Sequence, residues 1–184
     1  MIKIIDDFIP IQWQEDIKRT LQDSSFPWYY TSDVTYHEDN TNPAMYHLFR
    51  VENQNTSPFF SYISPMTYLT DLKIRDIVQA RSFLQFPLAT QSKVDKLHVD
   101  LPYKHTVLLY YVFDSDGDTI IVDKKLENQT IENNLYPDDF KLLERITPKQ
   151  GRAVIFDGEY YHTAEQPKSD MRCIINFDLV TEND

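Results

Sequence analysis

Three side chains in this sequence are of the types that hold a redox-active metal ion while leaving part of its coordination sphere open. In the run Leu97-His98-Val99-Asp100-Leu101, an extended chain places His98 and Asp100 on one face and the three apolar residues on the other. An imidazole and a carboxylate thereby converge over an apolar backing. His-x-Asp recurs by chance in many sequences, but His162 stands in a second strand-like run, Tyr160-Tyr161-His162-Thr163-Ala164. Two imidazoles and one carboxylate form the facial set that leaves three adjacent positions free on an octahedral Fe(II). Open positions let a co-substrate and O₂ meet on one ion.

Arg172 follows at an even spacing from His162. If the flanking strands form a hairpin, the two side chains share a face. A metal ion at one end and a guanidinium fork at the other describe a receptor for a short dicarboxylate, chelated at one end and paired bidentately at the other. The strand His105 to Phe113 offers Thr106, Leu108, Tyr110 and Val112 on one face, and the Tyr110 phenol among apolar neighbours suits the same carboxylate. The plainer alternatives are a structural ion pair of Arg172 with Asp157, Asp170 or Asp178, and Tyr110 as core. His37, His47 and His105 lack such company and read as structural. Cys173, alternating with Arg172, faces away as an inert core thiol.

The elements that must position these groups change character along the chain. Ile2 to Phe8 reads as a strand and Ile11 to Leu21 as a helix with a stripe of Ile11, Trp13, Ile17 and Leu21. A second helix is expected from about Pro58 to Leu72, and Ile77 to Leu88 is compatible with helix or strand. From Asp95 the pattern turns to short strands: Asp95 to Leu101, His105 to Phe113, Asp118 to Val122, Leu142 to Thr147, Gly151 to Phe156, Tyr160 to Ala164 and Met171 to Val180. Leu126 to Phe140, rich in Asn, Glu and Asp, reads as a surface loop. The expected fold is mainly β with N-terminal helices, an α+β chain whose second half is a twisted antiparallel sheet or jelly roll. We expect one domain over residues 1–184, with a helix-rich bracing part at 1–80 and a β core at 81–184.

Composition narrows the partners. Eighteen basic against 29 acidic side chains give a net charge of −11, which repels phosphate backbones and anionic membranes and argues against nucleic acid. A single cysteine allows no internal disulfide and no cysteine-rich zinc site, which points to a reducing compartment, the cytoplasm. Neither a signal peptide nor a membrane-spanning run is visible. Charge and composition leave the oligomeric state open.

In the order and spacing of these pieces the sequence resembles the Fe(II)/2-oxoglutarate dioxygenase superfamily, specifically its small prolyl 4-hydroxylase-like members of bacterial and phage type. The resemblance runs from about Arg81 to Leu179 and rests on His98-Val99-Asp100, the strand His105 to Val112, the turn Asp114 to Thr119, the run Pro148 to Gly158, His162 and Arg172. It implies a double-stranded β-helix, a cupin-like jelly roll braced by helices. It implies Fe(II) held by His98, Asp100 and His162, 2-oxoglutarate paired with Arg172 and assisted by Tyr110, with Phe86 and Leu108 lining the pocket, and O₂ as oxidant. The implied reaction couples oxidative decarboxylation of 2-oxoglutarate to hydroxylation of a C–H bond in a peptide, an amino acid or a small metabolite. Two other classes compete: a non-catalytic jelly-roll module that binds a peptide or sugar, and a cupin-type metalloenzyme using the ion as a Lewis acid.

Overall fold

Runs rich in Val, Ile, Phe and Tyr, punctuated by few glycines, favour strands buried on both faces. The structure, a computed structural model, describes residues 2–34, 42–89 and 94–182. In chain order these form β1 (Ile2–Ile5), α1 (Ile11–Gln22), β2 (Tyr29–Thr31), β3 (Ala44–Val51), β4 (Gln54–Asn55), α2 (Phe60–Ile63) and β5 (Ile74–Gln85). There follow β6 (Thr106–Tyr111), β7 (Thr119–Lys125), β8 (Leu142–Ile146), β9 (Ala153–Asp157), β10 (Tyr160–Ala164) and β11 (Arg172–Thr181). No helix among the described residues is long and apolar enough to cross a membrane.

Among the described residues the strands make two antiparallel sheets. The larger runs β1-β9-β6-β11-β5-β3-β2 with β4 beside β3, and the smaller runs β10-β7-β8. Phe83, Leu109, Tyr111, Phe156 and Ile174 of the larger sheet pack against Ile121 and Ile146 of the smaller one, which makes the pair a double-stranded β-helix. The outer face of the larger sheet is covered by the helices: Ile17, Leu21 and Ile63 meet Leu108, Tyr110, Ile175 and Phe177. The outer face of the smaller sheet is covered by the segment after β7, through Leu126, Leu135 and Phe140.

The N-terminal part is richer in strand than expected. β3 has no clear signal in the sequence, and Ile77 to Leu88, compatible with helix or strand, falls largely in the long strand β5, which starts earlier at Ile74 and ends at Gln85. The stretch around Glu52, the most linker-like in the chain, is a hairpin turn with Glu52 and Asn53 at φ 47° and 63°, pairing Val51 with Gln54. The second helix is a single α turn that tightens into a 3₁₀ segment at Ser64–Leu69, where Pro65 has no N–H to continue the ladder. In α1 the buried stripe is Gln14, Ile17 and Leu21, while Ile11 is exposed.

Two further expectations change. Residues 95–101 are extended but not a regular strand: isolated bridges join Val94 to Glu165 and His98 to His162, while the Leu97 N–H donates to the Leu135 carbonyl on the opposite edge. The hairpin between β10 and β11 does not form. β10 pairs with β7 in the smaller sheet and β11 lies between β5 and β6 in the larger, so the connection crosses from one sheet to the other. Asp116 secures that crossing by accepting from the backbone N–H groups of Lys168 and Ser169 at 2.9 and 3.0 Å. His162 and Arg172 therefore lie on facing sheets rather than side by side.

One glycine couples the helix to the sheet. Gly151 has φ +79°, its carbonyl accepts from the Phe8 N–H, and a Cβ there would lie 2.3 Å from Gln14 Oε1. Gln14 itself is buried and donates to the Ile9 carbonyl. Gly151→Ala is expected to cost about 1–3 kcal/mol from the left-handed backbone alone, read as a lower midpoint in urea unfolding with an unchanged slope.

Candidate metal centre

Strand alternation directs polar groups from both sheets into the space between them. Along β5 and β11 the residues Arg81, Phe83, Gln85, Arg172, Ile174 and Asn176 face inward, in the directly opposed pairs Arg81–Asn176, Phe83–Ile174 and Gln85–Arg172. They form one wall of a cavity of about 240 Å³. The other wall carries His98, Asp100, Thr119 and His162, and the mouth is edged by Ile131, Glu132 and Asn133. The segment read as a plain surface loop thus closes over the cavity, held where the Glu132 N–H donates to the Tyr161 hydroxyl at 2.7 Å.

His98, Asp100 and His162 meet in this cavity, each offering a ligand atom within 4.8 Å of the others. His98 Nε2 is 3.7 Å from Asp100 Oδ1, His162 Nε2 is 3.5 Å from Asp100 Oδ2, and the two rings are 4.6 Å apart. Each Nδ1 faces the carbonyl of the residue two earlier, Lys96 at 3.4 Å and Tyr160 at 3.1 Å. Protons placed there leave both Nε2 lone pairs for an ion, the orientation that metal-binding histidines need. Burial, together with the neighbouring His162, pushes the His98 imidazole down, which keeps it in the neutral, ligating form. Burial works to raise the Asp100 carboxyl, but Arg81 and the two imidazoles outweigh it and hold Asp100 well below the usual carboxylate range. The donor set therefore fits a divalent ion such as Fe(II), with positions left open.

On the facing sheet Arg172 is 4% exposed, and it has no carboxylate within 4.0 Å among the described residues. Asp95 acts on it only at longer range. Its Nε donates to the Gly117 carbonyl at 3.0 Å, Nη1 to Gln85 Oε1 at 2.9 Å and Nη2 to Thr119 Oγ1 at 2.8 Å. A Cβ on Gly117 would sit 3.2 Å from the Arg172 side chain and 2.7 Å from the Glu165 carbonyl, so glycine lets the chain pass this close. Among the described residues these bonds use three of the five guanidinium protons. A buried cation with no carboxylate within 4.0 Å among the described residues suits an anion.

Two residues expected at the pocket face the other side of the sheet. Tyr110 and Leu108 lie in the core beneath the helices, not in the cavity; the inward residues of β6 are Val107, Leu109 and Tyr111. β6 is buried on both faces and carries apolar residues at every position, so no alternation in hydrophobicity marks its inner side. Tyr111 lies on the inner side instead, its hydroxyl donating to Thr119 Oγ1 at 2.7 Å and its ring lying 5.9 Å from the Arg172 guanidinium. Phe86 follows the end of β5, is 36% exposed and does not line the cavity; Phe83 and Gln85 do. Cys173 is buried on the helix side of the sheet, as alternation requires. His47 is structural, bonded to the Pro27 carbonyl and Ser57 Oγ. His105 is less isolated than its sequence suggests, since Asp100 and Asp178 lie within ligand distance of it. His37 falls outside the described residues. Arg81, Asn176 and Thr119 escaped notice, although the parity of β11 counted from Arg172 points to Asn176.

No protein-family model matches the sequence, and no curated protein matches it either. Solved structures do match. An oxidoreductase of the 2OG-Fe(II) oxygenase family from Burkholderia pseudomallei aligns with a TM-score of 0.67 at 10% identity, over 97% of this chain and 84% of that one. A prolyl hydroxylase from Trichoplax adhaerens, solved with a peptide of hypoxia inducible factor, aligns with a TM-score of 0.65 at 13% identity, over 99% and 84% of the two chains. A viral collagen prolyl hydroxylase from Paramecium Bursaria Chlorella virus-1, solved with 2OG, gives 0.57 at 14% identity over 97% and 94%. The likeness is one of fold and covers nearly the whole chain: this is the double-stranded β-helix of the prolyl hydroxylases and their 2OG-Fe(II) relatives.

Single replacements His98→Ala, Asp100→Ala and His162→Ala are each expected to weaken Co(II) binding by more than the roughly 10–100-fold typical of losing an outer-shell partner. Anaerobic titration of the cobalt ligand-field bands measures this, with circular dichroism confirming the fold.

Proposed function

We propose that the chain is an Fe(II)- and 2-oxoglutarate-dependent oxygenase that hydroxylates a C–H bond of a small molecule or peptide. One observation carries this reading: a cavity with a two-His, one-carboxylate cluster on one sheet holds, on the facing sheet, a buried guanidinium with no acid within 4.0 Å among the described residues. His98, Asp100 and His162 would hold the iron. When bound, the iron supplies activation of O₂, with 2-oxoglutarate as the reductant that leaves as succinate and CO₂.

The chain's own residues bind, orient and exclude water. Arg172 would donate to the far carboxylate of the co-substrate, and charge-assisted bonds of this kind contribute about 1.5–3 kcal/mol each. Thr119 Oγ1 accepts from Arg172 and Tyr111, so its own proton is left to donate to the same carboxylate. Phe83, Leu109 and Ile174 keep the intervening wall dry and strengthen these interactions. Substrate selection falls to the mouth, where Ile131, Glu132 and Asn133 stand. The peptide bound by the Trichoplax relative supports a peptide as one class of substrate, and small metabolites remain the other.

The test is O₂-dependent formation of succinate from 2-oxoglutarate by the iron-loaded protein, first uncoupled and then with candidate peptides and amino acids. Succinate that needs both Fe(II) and O₂ is the expected result. Turnover of another substrate without O₂ would favour a Lewis-acid metalloenzyme, and 2-oxoglutarate binding without any succinate a binding module. Arg172→Met is expected to raise the KM for 2-oxoglutarate by at least about tenfold, the loss of one charged pair. Tyr111→Phe should raise the same KM while Tyr110→Phe leaves it unchanged, which separates the two faces of β6 by steady-state kinetics.

A further inference from the structure

Behind Asp100 the cavity wall carries charges that binding of metal and co-substrate does not account for. Arg81 on β5 stands directly opposite Asn176 on β11. Its Nη2 forms a close ion pair with Asp100 Oδ1 and lies 3.9 Å from Asp178 Oδ2. Asn176 Nδ2 links the two acids from the other side, 3.2 Å from Asp100 Oδ2 and 3.2 Å from Asp178 Oδ1. The Asp100 side chain is 2% exposed and Asp178 is fully buried. The guanidinium also rests 5.7 Å from the Phe83 ring, which limits the directions it can take.

Two buried carboxyl groups share one guanidinium, Arg81 pairing closely with Asp100 and lying 3.9 Å from Asp178. Asp100, His105 and Asp178 also bring ligand-type atoms within 4.8 Å of one another, which alone would suggest a second cation site. Arg81 lies beside both of these acids and already provides the cation there, and two ions plus a guanidinium in so small a volume would repel strongly.

We infer that Arg81 is a positioning residue for the metal ligand Asp100. It pins Oδ1, Asp178 and Asn176 anchor the assembly, and Oδ2 is left facing His162 Nε2 at 3.5 Å, on the side where the ion would sit. A carboxylate held in one rotamer enters coordination without first losing rotational freedom, which is how outer-shell partners raise metal affinity. The inference rests on the metal site of the proposed oxygenase.

Co(II) titration of the metal-free protein separates the two. Wild type is expected to bind Co(II); Arg81→Met should bind it about 10–100-fold more weakly with shifted ligand-field bands, and Arg81→Lys, which keeps a charged donor, should restore most of the affinity. Arg81→Met leaves two buried carboxyl groups without their guanidinium and could fail to fold, so the double variant Arg81→Met, Asp178→Asn removes one acid together with the cation and is expected to show the same weak binding. Wild-type affinity and unshifted bands in either folded variant would overturn the positioning role while leaving the oxygenase reading intact. Absence of Co(II) binding by wild type would overturn both.

Discussion

Burial of charge without full neutralisation is the constraint around which this molecule is organised. Among the described residues Arg172 lies in the interior with only neutral hydrogen-bond partners, and Asp100 shares Arg81 with a second buried acid. Burying Arg172 without an acid within 4.0 Å among the described residues costs stability, because a desolvated charge needs a counter-charge. In the proposed reading an anion beside Arg172 supplies it, and a cation sits beside Asp100. The two sites lie on facing walls of one small cavity, so a single chelating dicarboxylate can satisfy both.

The jelly roll makes this arrangement possible because its two sheets face each other. β10 delivers His162 from the smaller sheet, the connection crosses the gap, and β11 delivers Arg172 from the larger. A hairpin would have put both groups on one surface with nothing opposite them. The helices meanwhile fill the outer face of the larger sheet, and the segment after β7 fills that of the smaller, so the inner faces alone are left to line a pocket.

The cluster of His98, Asp100 and His162 is legible because its signal is local and chemical. His98 and Asp100 alternate with Leu97, Val99 and Leu101, and that pattern survives although the segment is not a regular strand. Arg172 was legible as a residue type but not through its geometry, since the expected hairpin does not exist and its proximity to the metal cluster arises across the sheets. Tyr110 was chosen over Tyr111 because a strand buried on both sides gives no amphipathic cue, and a slip of one residue reverses every side chain. Parity counted from Arg172 along β11, then carried across the register pairing Tyr111 with Ile174, selects the inward-facing tyrosine, but the register itself is not written in the sequence. β3 went unseen for a related reason: His47 and Arg50 interrupt its apolar residues, and its stability comes from pairing with β5.

The most direct test of this account is a crystal structure of the protein loaded anaerobically with Fe(II) and 2-oxoglutarate. The account predicts one ion bonded to Nε2 of His98, Nε2 of His162 and a carboxylate oxygen of Asp100, with the keto acid chelating that ion and its far carboxylate on Arg172. An ion held by other residues, or a keto acid whose far end lies away from the guanidinium, would contradict it.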